Sequence, residues 1–214
     1  MSLGRPRGTS RGGRGGGPRR ARLAVLLLGL AGAGPAWAQG FWDPRPHHAG
    51  QATLGAGLLL ASVSGGPQAV AGATGSGLQV LLEYRFTERL AFDLRAGGFW
   101  TSLAAPAEIS YPADDGDYSL LFTGLHYDVV SHPGGALWVG LEAAIHYAQM
   151  EHYGYTLGGI GAGPSLGADL VLRGPFVVRL GAHLSWVGLE SGLGDRLGTS
   201  AVFAGTADLL YVFR

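Results

Sequence analysis

Hydrophobic residues alternate with small or polar residues over most of this chain after residue 50. The alternation is clearest between residues 78 and 86. One face of this segment carries Leu78, Val80, Leu82, Tyr84 and Phe86. The other face carries Gln79, Leu81, Glu83 and Arg85. Because successive side chains of a β-strand point to opposite sides, this period of two predicts a strand with one apolar face.

The same period recurs in eight segments that are separated by turn residues. It predicts strands at about 51–63, 78–86, 91–101, 118–130, 137–149, 159–173, 176–189 and 201–213. Alternating segments of about ten residues are typical of transmembrane β-barrels. We therefore predict an all-β fold, an eight-stranded antiparallel up-and-down transmembrane barrel.

Residue type indicates which face of this barrel points inward. A soluble secreted lipid-binding barrel, the alternative, would carry many charged residues on its polar face. Here that face is rich in Gly, Ser and Thr, the chain has no lysine, and charged residues make up only 14%. Sparse charges suit a narrow lumen, in which they must be paired. The predicted luminal ion-pair network is Glu83, Arg85, Asp93, Arg95, Glu142, His146, Asp169, Arg179, His183 and Asp208.

The connection between the second and third strands predicts one register. If Thr87 faces Ala91, then Arg85 faces Asp93 and Glu83 faces Arg95. Connections after strands two, four and six are short, and those after one, three and seven (about 64–76, 102–117 and 190–200) are longer. Short turns are periplasmic in outer-membrane barrels, so both mature termini are expected in the periplasm.

Aromatic residues gather near both ends of the predicted strands and predict two interfacial girdles. The periplasmic girdle would contain Tyr84, Phe86, Phe92, Tyr127, Phe176, Tyr211 and Phe213. The outer girdle would contain Trp100, Tyr118, Tyr147, Trp186 and Phe203.

The first 38 residues are predicted to be a cleavable signal peptide. Seven arginines and no acidic residue precede the apolar run Leu23–Ala33, and Ala36-Trp37-Ala38 follows it. The zero net charge therefore divides into +7 before residue 23 and −7 after it. The Arg-Gly stretch could alternatively be an RNA-binding tail. Because an export signal follows it directly, we predict that the protein has no nucleic-acid partner. The predicted organisation is a signal peptide at 1–38, a periplasmic segment at 39–50 and the barrel at 51–214.

The export signal, the eight strands and the ending Leu209-Leu-Tyr211-Val-Phe213-Arg214 resemble small Gram-negative outer-membrane barrels, such as the transmembrane domain of outer membrane protein A. The resemblance implies an outer-membrane location. It also implies that Leu209, Tyr211 and Phe213 form the signal read by the barrel assembly machinery, although Arg214 follows the terminal Phe. Further implied partners are periplasmic chaperones, outer-membrane lipids and lipopolysaccharide. We favour a monomer.

Three groups of residues in the sequence could carry chemistry. His183 and Ser185, with Glu190, resemble the His-x-Ser element of barrel lipid A deacylases, but Trp186 stands where that family has Asn. Both side chains share the luminal face, so polar packing is the favoured interpretation. The acidic residues Asp114, Asp115 and Asp117 predict an acidic loop tip, which calcium could bridge to the lipopolysaccharide surface. We favour a solvated loop without a bound ion. His47 and His48 are expected in a solvated periplasmic segment.

With no cysteine in the chain, disulfides and thiolate metal sites are excluded. No cofactor is expected. We interpret the chain as a structural or surface-interaction protein that anchors extracellular loops and supports envelope integrity. The alternatives are a narrow pore or small-molecule conduit and, less favoured, a lipid A-modifying enzyme.

Overall fold

The computed structural model describes residues 47–66, 72–103, 114–150, 156–172, 174–192 and 196–213. The predicted signal peptide, residues 39–46 and Arg214 lie outside the described residues. Within the described part of the chain, no helix is long and apolar enough to cross a membrane.

Eight antiparallel strands make up the structure. They are β1 (Ala52–Gly65), β2 (Thr74–Arg85), β3 (Leu90–Leu103), β4 (Asp114–His132), β5 (Gly135–Met150), β6 (Thr156–Val171), β7 (Phe176–Ser191) and β8 (Arg196–Phe213). Each strand pairs with the next, and β1 also pairs with β8, so the sheet closes into a barrel. Closure leaves no unpaired edge, which a lipid environment requires. The predicted fold class and strand number are confirmed.

The strands extend beyond the segments in which the alternation is clear. The ladder between β1 and β8 runs from Ala52 opposite Phe213 to Gly65 opposite Ser200. Likewise, β4 begins at Asp114, whose backbone pairs with Leu103. The prediction that residues 114–117 form a loop tip was therefore wrong, because continued pairing with β3 holds their backbone in a strand. The connection predicted at 190–200 shrinks to 192–195 for the same reason.

The connections define two ends of the barrel. The end that we call the loop end carries the connections at 66–73, 104–113, 151–155 and 192–195. The end that we call the turn end carries those at 86–89, 133–134 and 172–175.

The alternation assigns the two faces of the strands correctly. Val80 and Leu82 are exposed on the outer face of β2, whereas Gln79 and Glu83 are buried in the lumen. The three consecutive leucines of β1, which blur the pattern, follow the same rule. Leu59 is 0% exposed inside, and its neighbours are about 60% exposed outside.

The register between β2 and β3 differs from the predicted one by two residues. Glu83 lies opposite Asp93, and Arg85 lies opposite Ala91. The shift arises in the turn, where the backbone N–H groups of Phe86 and Thr87 both donate to the Leu90 carbonyl. Because the shift is two residues rather than one, every side chain stays on its predicted face.

Two irregularities interrupt the ladders around β7. Pairing with β6 passes from Ala162–Trp186 to Ser165–His183 and omits Gly163 and Pro164. Pro164 has no N–H to donate, which accounts for the gap. Between β7 and β8 a β-bulge removes Leu197 from the ladder.

The lumen has an apolar part towards the loop end and a charged part towards the turn end. A smaller apolar cluster of Leu81, Val177, Leu210 and Val212 lies beside the charged part. The larger apolar cluster includes Phe99, Tyr118, Leu120, Phe122 and Val187. Tyr118 was predicted in the outer girdle, and this was wrong, since it shares the inward face of β4 with Leu120 and Phe122 and is almost fully buried. It stacks on Phe99, with the ring centroids 4.9 Å apart.

Candidate functional site

Arg179 of β7 is the centre of the charged part of the lumen. It lies directly opposite Asp169 of β6 in the ladder. Its Nε and Nη2 donate to the two carboxylate oxygens of Asp169 at 2.7 and 2.6 Å. Its Nη1 donates to Glu83 at 2.5 Å from across the lumen. This two-pronged geometry is the strong form of an arginine–carboxylate pair, and here all three side chains are buried.

Arg85 extends the network towards the turn end. Its Nε donates to Glu83 at 2.9 Å, and its Nη1 donates to Asp128 at 2.8 Å. Glu83 and Arg85 are two residues apart in β2, so they share the luminal face. Glu83 therefore accepts hydrogen bonds from both Arg85 and Arg179. Because these arginines also donate to Asp128 of β4 and Asp169 of β6, the network connects β2, β4, β6 and β7.

His47 enters the lumen from the segment that precedes β1. Its Nε2 lies 3.4 Å from Nη2 of Arg85 and 3.4 Å from a carboxylate oxygen of Asp169. Two backbone hydrogen bonds hold this segment against the end of β2, from Gly50 N–H to the Arg85 carbonyl and from Arg85 N–H to the Gln51 carbonyl. His47 is only 6% exposed, so the expectation of a solvated side chain was wrong.

A second charged group surrounds Arg95 of β3. Its Nη2 donates to Asp93 at 2.5 Å, and its Nη1 lies 2.5 Å from Nε2 of His183. The other ring nitrogen of His183 lies 2.9 Å from Glu142. These contacts fit a His183 ring that donates from Nδ1 to Glu142 and accepts from Arg95 at Nε2.

Trp138 of β5 lies between the two groups. The guanidinium carbons of Arg95 and Arg179 lie 5.5 and 5.4 Å from the ring centroid. The indole Nε1 donates to Asp169 at 3.2 Å. Cation–π contacts of this kind are strongest where water is excluded, and Trp138 is almost fully buried. One aromatic ring thus packs against both arginine centres.

The structure brings together most of the predicted network but separates two members from its centre. Asp208 accepts from Gln79 Nε2 at 2.8 Å instead of from an arginine. His146 lies in the apolar part, 3.3 Å from the Tyr118 hydroxyl and 3.4 Å from Ser185 Oγ. The residues that sequence reasoning left out of the network are His47, Gln79, His126, Asp128 and Trp138. All of these except His47 lie on the inward face that the alternation identifies.

The network contains more acids than arginines. Within the described residues, three buried arginines face six buried carboxyl groups, those of Glu83, Asp93, Asp128, Glu142, Asp169 and Asp208. Three histidines lie within 4 Å of these carboxyl groups, namely His47, His126 and His183. An uncompensated charge inside the barrel is costly, so this excess of carboxyl groups over arginines constrains which of the acids can be ionised at the same time.

The candidate catalytic residues do not assemble into a triad. His183 is bonded to Arg95 and Glu142, and the imidazole nearest to Ser185 is that of His146. Glu190 is exposed on the outer face, 3.8 Å from Arg196. Ser185 and His146 are both buried inside the barrel, where a lipid substrate would have to displace packed side chains.

The candidate metal ligands Asp114, Asp115 and Asp117 belong to β4. Across the described part of the chain, no group of three or more His, Asp or Glu residues is arranged to hold a metal ion.

At the turn end, Leu209, Tyr211 and Phe213 point outward on β8. Tyr211 makes edge-to-face contacts with Phe176 and Phe213. Their role as an assembly signal stays a prediction.

Comparison with known proteins identifies the architecture. The sequence matches no protein-family model and no curated protein. Neisserial surface protein A superposes with a TM-score of 0.60 at 15% identity, over 77% of this chain and 99% of that one. Outer membrane protein OprG from Pseudomonas aeruginosa gives 0.55 at 14% identity, over 78% and 98%. The chain has the fold of the small eight-stranded outer-membrane β-barrels.

Arg179→Met should strongly destabilise the barrel. The substitution keeps an apolar stem but leaves Glu83 and Asp169 without their shared partner, at an expected cost of about 3–5 kcal/mol. The control Arg196→Ala removes an exposed arginine and should change the free energy of unfolding by less than about 0.5 kcal/mol. Urea titration in lipid vesicles, followed by tryptophan fluorescence, measures both. Equal unfolding free energies for the two variants would contradict the assignment of Arg179 as the network centre.

His47 should remain neutral in the folded protein at mildly acidic pH. Burial and the nearby Arg85 guanidinium lower the pKa of His47 from 6.5 to about 3. The docked His47 side chain therefore contributes its full stabilisation at pH values above the ordinary histidine pKa of 6.5. This contribution is lost progressively as the pH falls towards 3. Imidazole NMR signals in detergent micelles, with the His47 signal identified by its loss in His47→Gln, report the titration. A midpoint close to the ordinary value would show that His47 is not docked.

Proposed function

We propose that this protein is an outer-membrane anchor, a closed barrel that displays its loop-end connections at the cell surface and contributes to envelope integrity. The outer-membrane fold and the outward belt of leucine, valine and aromatic side chains support the location. The orientation follows from the connections: the short turns would face the periplasm together with both mature termini.

The observation that carries this proposal is the filled lumen. The turn end is filled by Arg85, Arg179 and the docked His47. The loop end is filled by the apolar cluster around Phe99 and Tyr118. An eight-stranded barrel is just wide enough for its side chains to fill. A barrel closed in both parts supports anchorage rather than conduction.

The proposed partners follow from the same location. Lipids of the outer membrane would contact the belt, and lipopolysaccharide would surround the loop end. The barrel assembly machinery and periplasmic chaperones would act during biogenesis. Because the sheet closes within a single chain, the barrel needs no second copy to satisfy its backbone.

Single-channel recording distinguishes the anchor from its main alternative, a narrow pore. Refolded protein in a planar bilayer should give no steady ion conductance, because buried side chains occupy both the charged and the apolar parts of the lumen. A difference in gel migration between unheated and heated samples confirms that the sample is folded. Steady, reproducible conductance steps from folded protein would overturn the anchor and favour a pore.

A further inference from the structure

The segment from His47 to Gln51, which we call the strap, folds over the turn-end opening of the lumen before β1 begins. Its backbone is bonded to the end of β2, through the Gly50 N–H and the Gln51 carbonyl. Its side chain at His47 contacts residues of three strands: Arg85 of β2, Asp128 of β4 and Asp169 of β6. A short segment outside the ladders therefore reaches groups that only the closed barrel brings together.

A tight turn aims His47 into the lumen. The Gln51 N–H donates to the His48 carbonyl at 3.3 Å, and Gln51 Oε1 accepts from the His48 N–H at 3.3 Å. Gly50 has a φ of 79°, in the left-handed region that glycine adopts at least cost. A β-carbon added at Gly50 would meet no atom within 4 Å, so the turn requires glycine for its conformation and not for space.

The strap is held less firmly than the network that it covers. The charged groups that face His47 are Glu83 and Arg85 of β2, Asp128 of β4, Asp169 of β6 and Arg179 of β7. These groups bond to one another over 2.5–2.9 Å, the range of charge-assisted hydrogen bonds. The contacts of His47 with them are 3.4–3.7 Å long. The network is thus complete without His47, and the strap can leave while the barrel stays closed.

An indole N–H lies directly behind the strap. Trp138 Nε1 donates to Oδ1 of Asp169, and His47 lies 3.4 Å from Oδ2 of the same carboxylate. Beside β7 and β8, Val177 and Val212 cover the lumen. Towards the loop end, the larger apolar cluster separates Trp138 from the other opening. The route from solvent to this N–H that crosses the fewest packed side chains therefore passes His47.

We propose that the strap is a reversible seal whose opening admits water and protons to the charged network from the turn end alone. Segments with few packed contacts open locally at a lower free energy than the whole fold. In the open state the His47 side chain leaves the lumen, and the ladders of the barrel persist. Under the proposed orientation the network exchanges protons with the periplasm and not with the cell exterior. The seal itself does not depend on that orientation.

Hydrogen exchange of the Trp138 indole N–H tests the seal. NMR in detergent micelles follows this signal, with the three other tryptophans of residues 39–214 substituted by Phe. In the unaltered strap the exchange should be slow. His47→Ala removes the side chain that covers Asp169 and should accelerate the exchange at least about tenfold.

Two glycine variants provide a matched comparison. Gly72, in a loop-end connection, has a φ of 81°, and a β-carbon there would also meet no atom within 4 Å. Gly50→Ala and Gly72→Ala therefore strain equivalent turns at opposite ends of the barrel. Only Gly50→Ala should accelerate exchange at Trp138, by roughly fivefold or more. The backbone amides of β5 should stay protected in every variant.

Equal exchange rates at Trp138 in the Gly50→Ala and Gly72→Ala variants would overturn the proposal. So would a parallel loss of protection at the β5 amides, since exchange would then occur through unfolding of the barrel. Insertion into vesicles is scored separately. Failure of the unaltered chain to insert contradicts the membrane anchor, whereas normal insertion with unchanged exchange in His47→Ala contradicts only the seal.

Discussion

The pairing of buried charges constrains this barrel more than any other interaction. The interior of an eight-stranded barrel is just wide enough for its side chains to fill, so each buried arginine needs carboxylates at bonding distance. Arg179 meets this requirement with Asp169 and Glu83, and Arg95 meets it with Asp93. Trp138 separates the two centres and contacts both guanidinium groups. The positions of β2, β3, β5, β6 and β7 around the lumen are therefore coupled through a few side chains.

Side-chain alternation predicts the faces of the strands but not the details of their pairing. The period of two places Glu83, Asp93 and Arg179 on the inward face. A shift of one residue in the register would turn these charges towards the lipid, so the assignment of faces is strongly constrained. The alternation cannot determine the register between β2 and β3, which depends on the hydrogen bonds that close the turn at Leu90. Here the sequence predicted charge pairs across the hairpin, whereas Glu83 lies opposite Asp93 and both acids find partners elsewhere.

The site was predictable to the extent that its members lie in regular strands. Asp128 and Trp138 share the inward face with predicted members, and only their choice of partners was missed. His47 lies before the first strand, where no periodicity applies, so its entry into the lumen depends on tertiary contacts with Arg85. Tyr118 was misplaced for a different reason: an aromatic residue near a strand end fits a girdle, but its inward position follows from Leu120 and Phe122 on the same face.

The central claim is that the barrel spans a membrane with its apolar face outward and its charges sealed inside. The absence of cysteine allows a clean scan with single spin-labelled cysteines along β2 from Leu78 to Tyr84. In lipid vesicles, the frequency of collisions between the spin label and dissolved oxygen should oscillate along the strand with a period of two residues. We expect maxima at Val80 and Leu82 and minima at Gln79, Leu81 and Glu83. A flat profile, or maxima at the inward positions, would contradict the account.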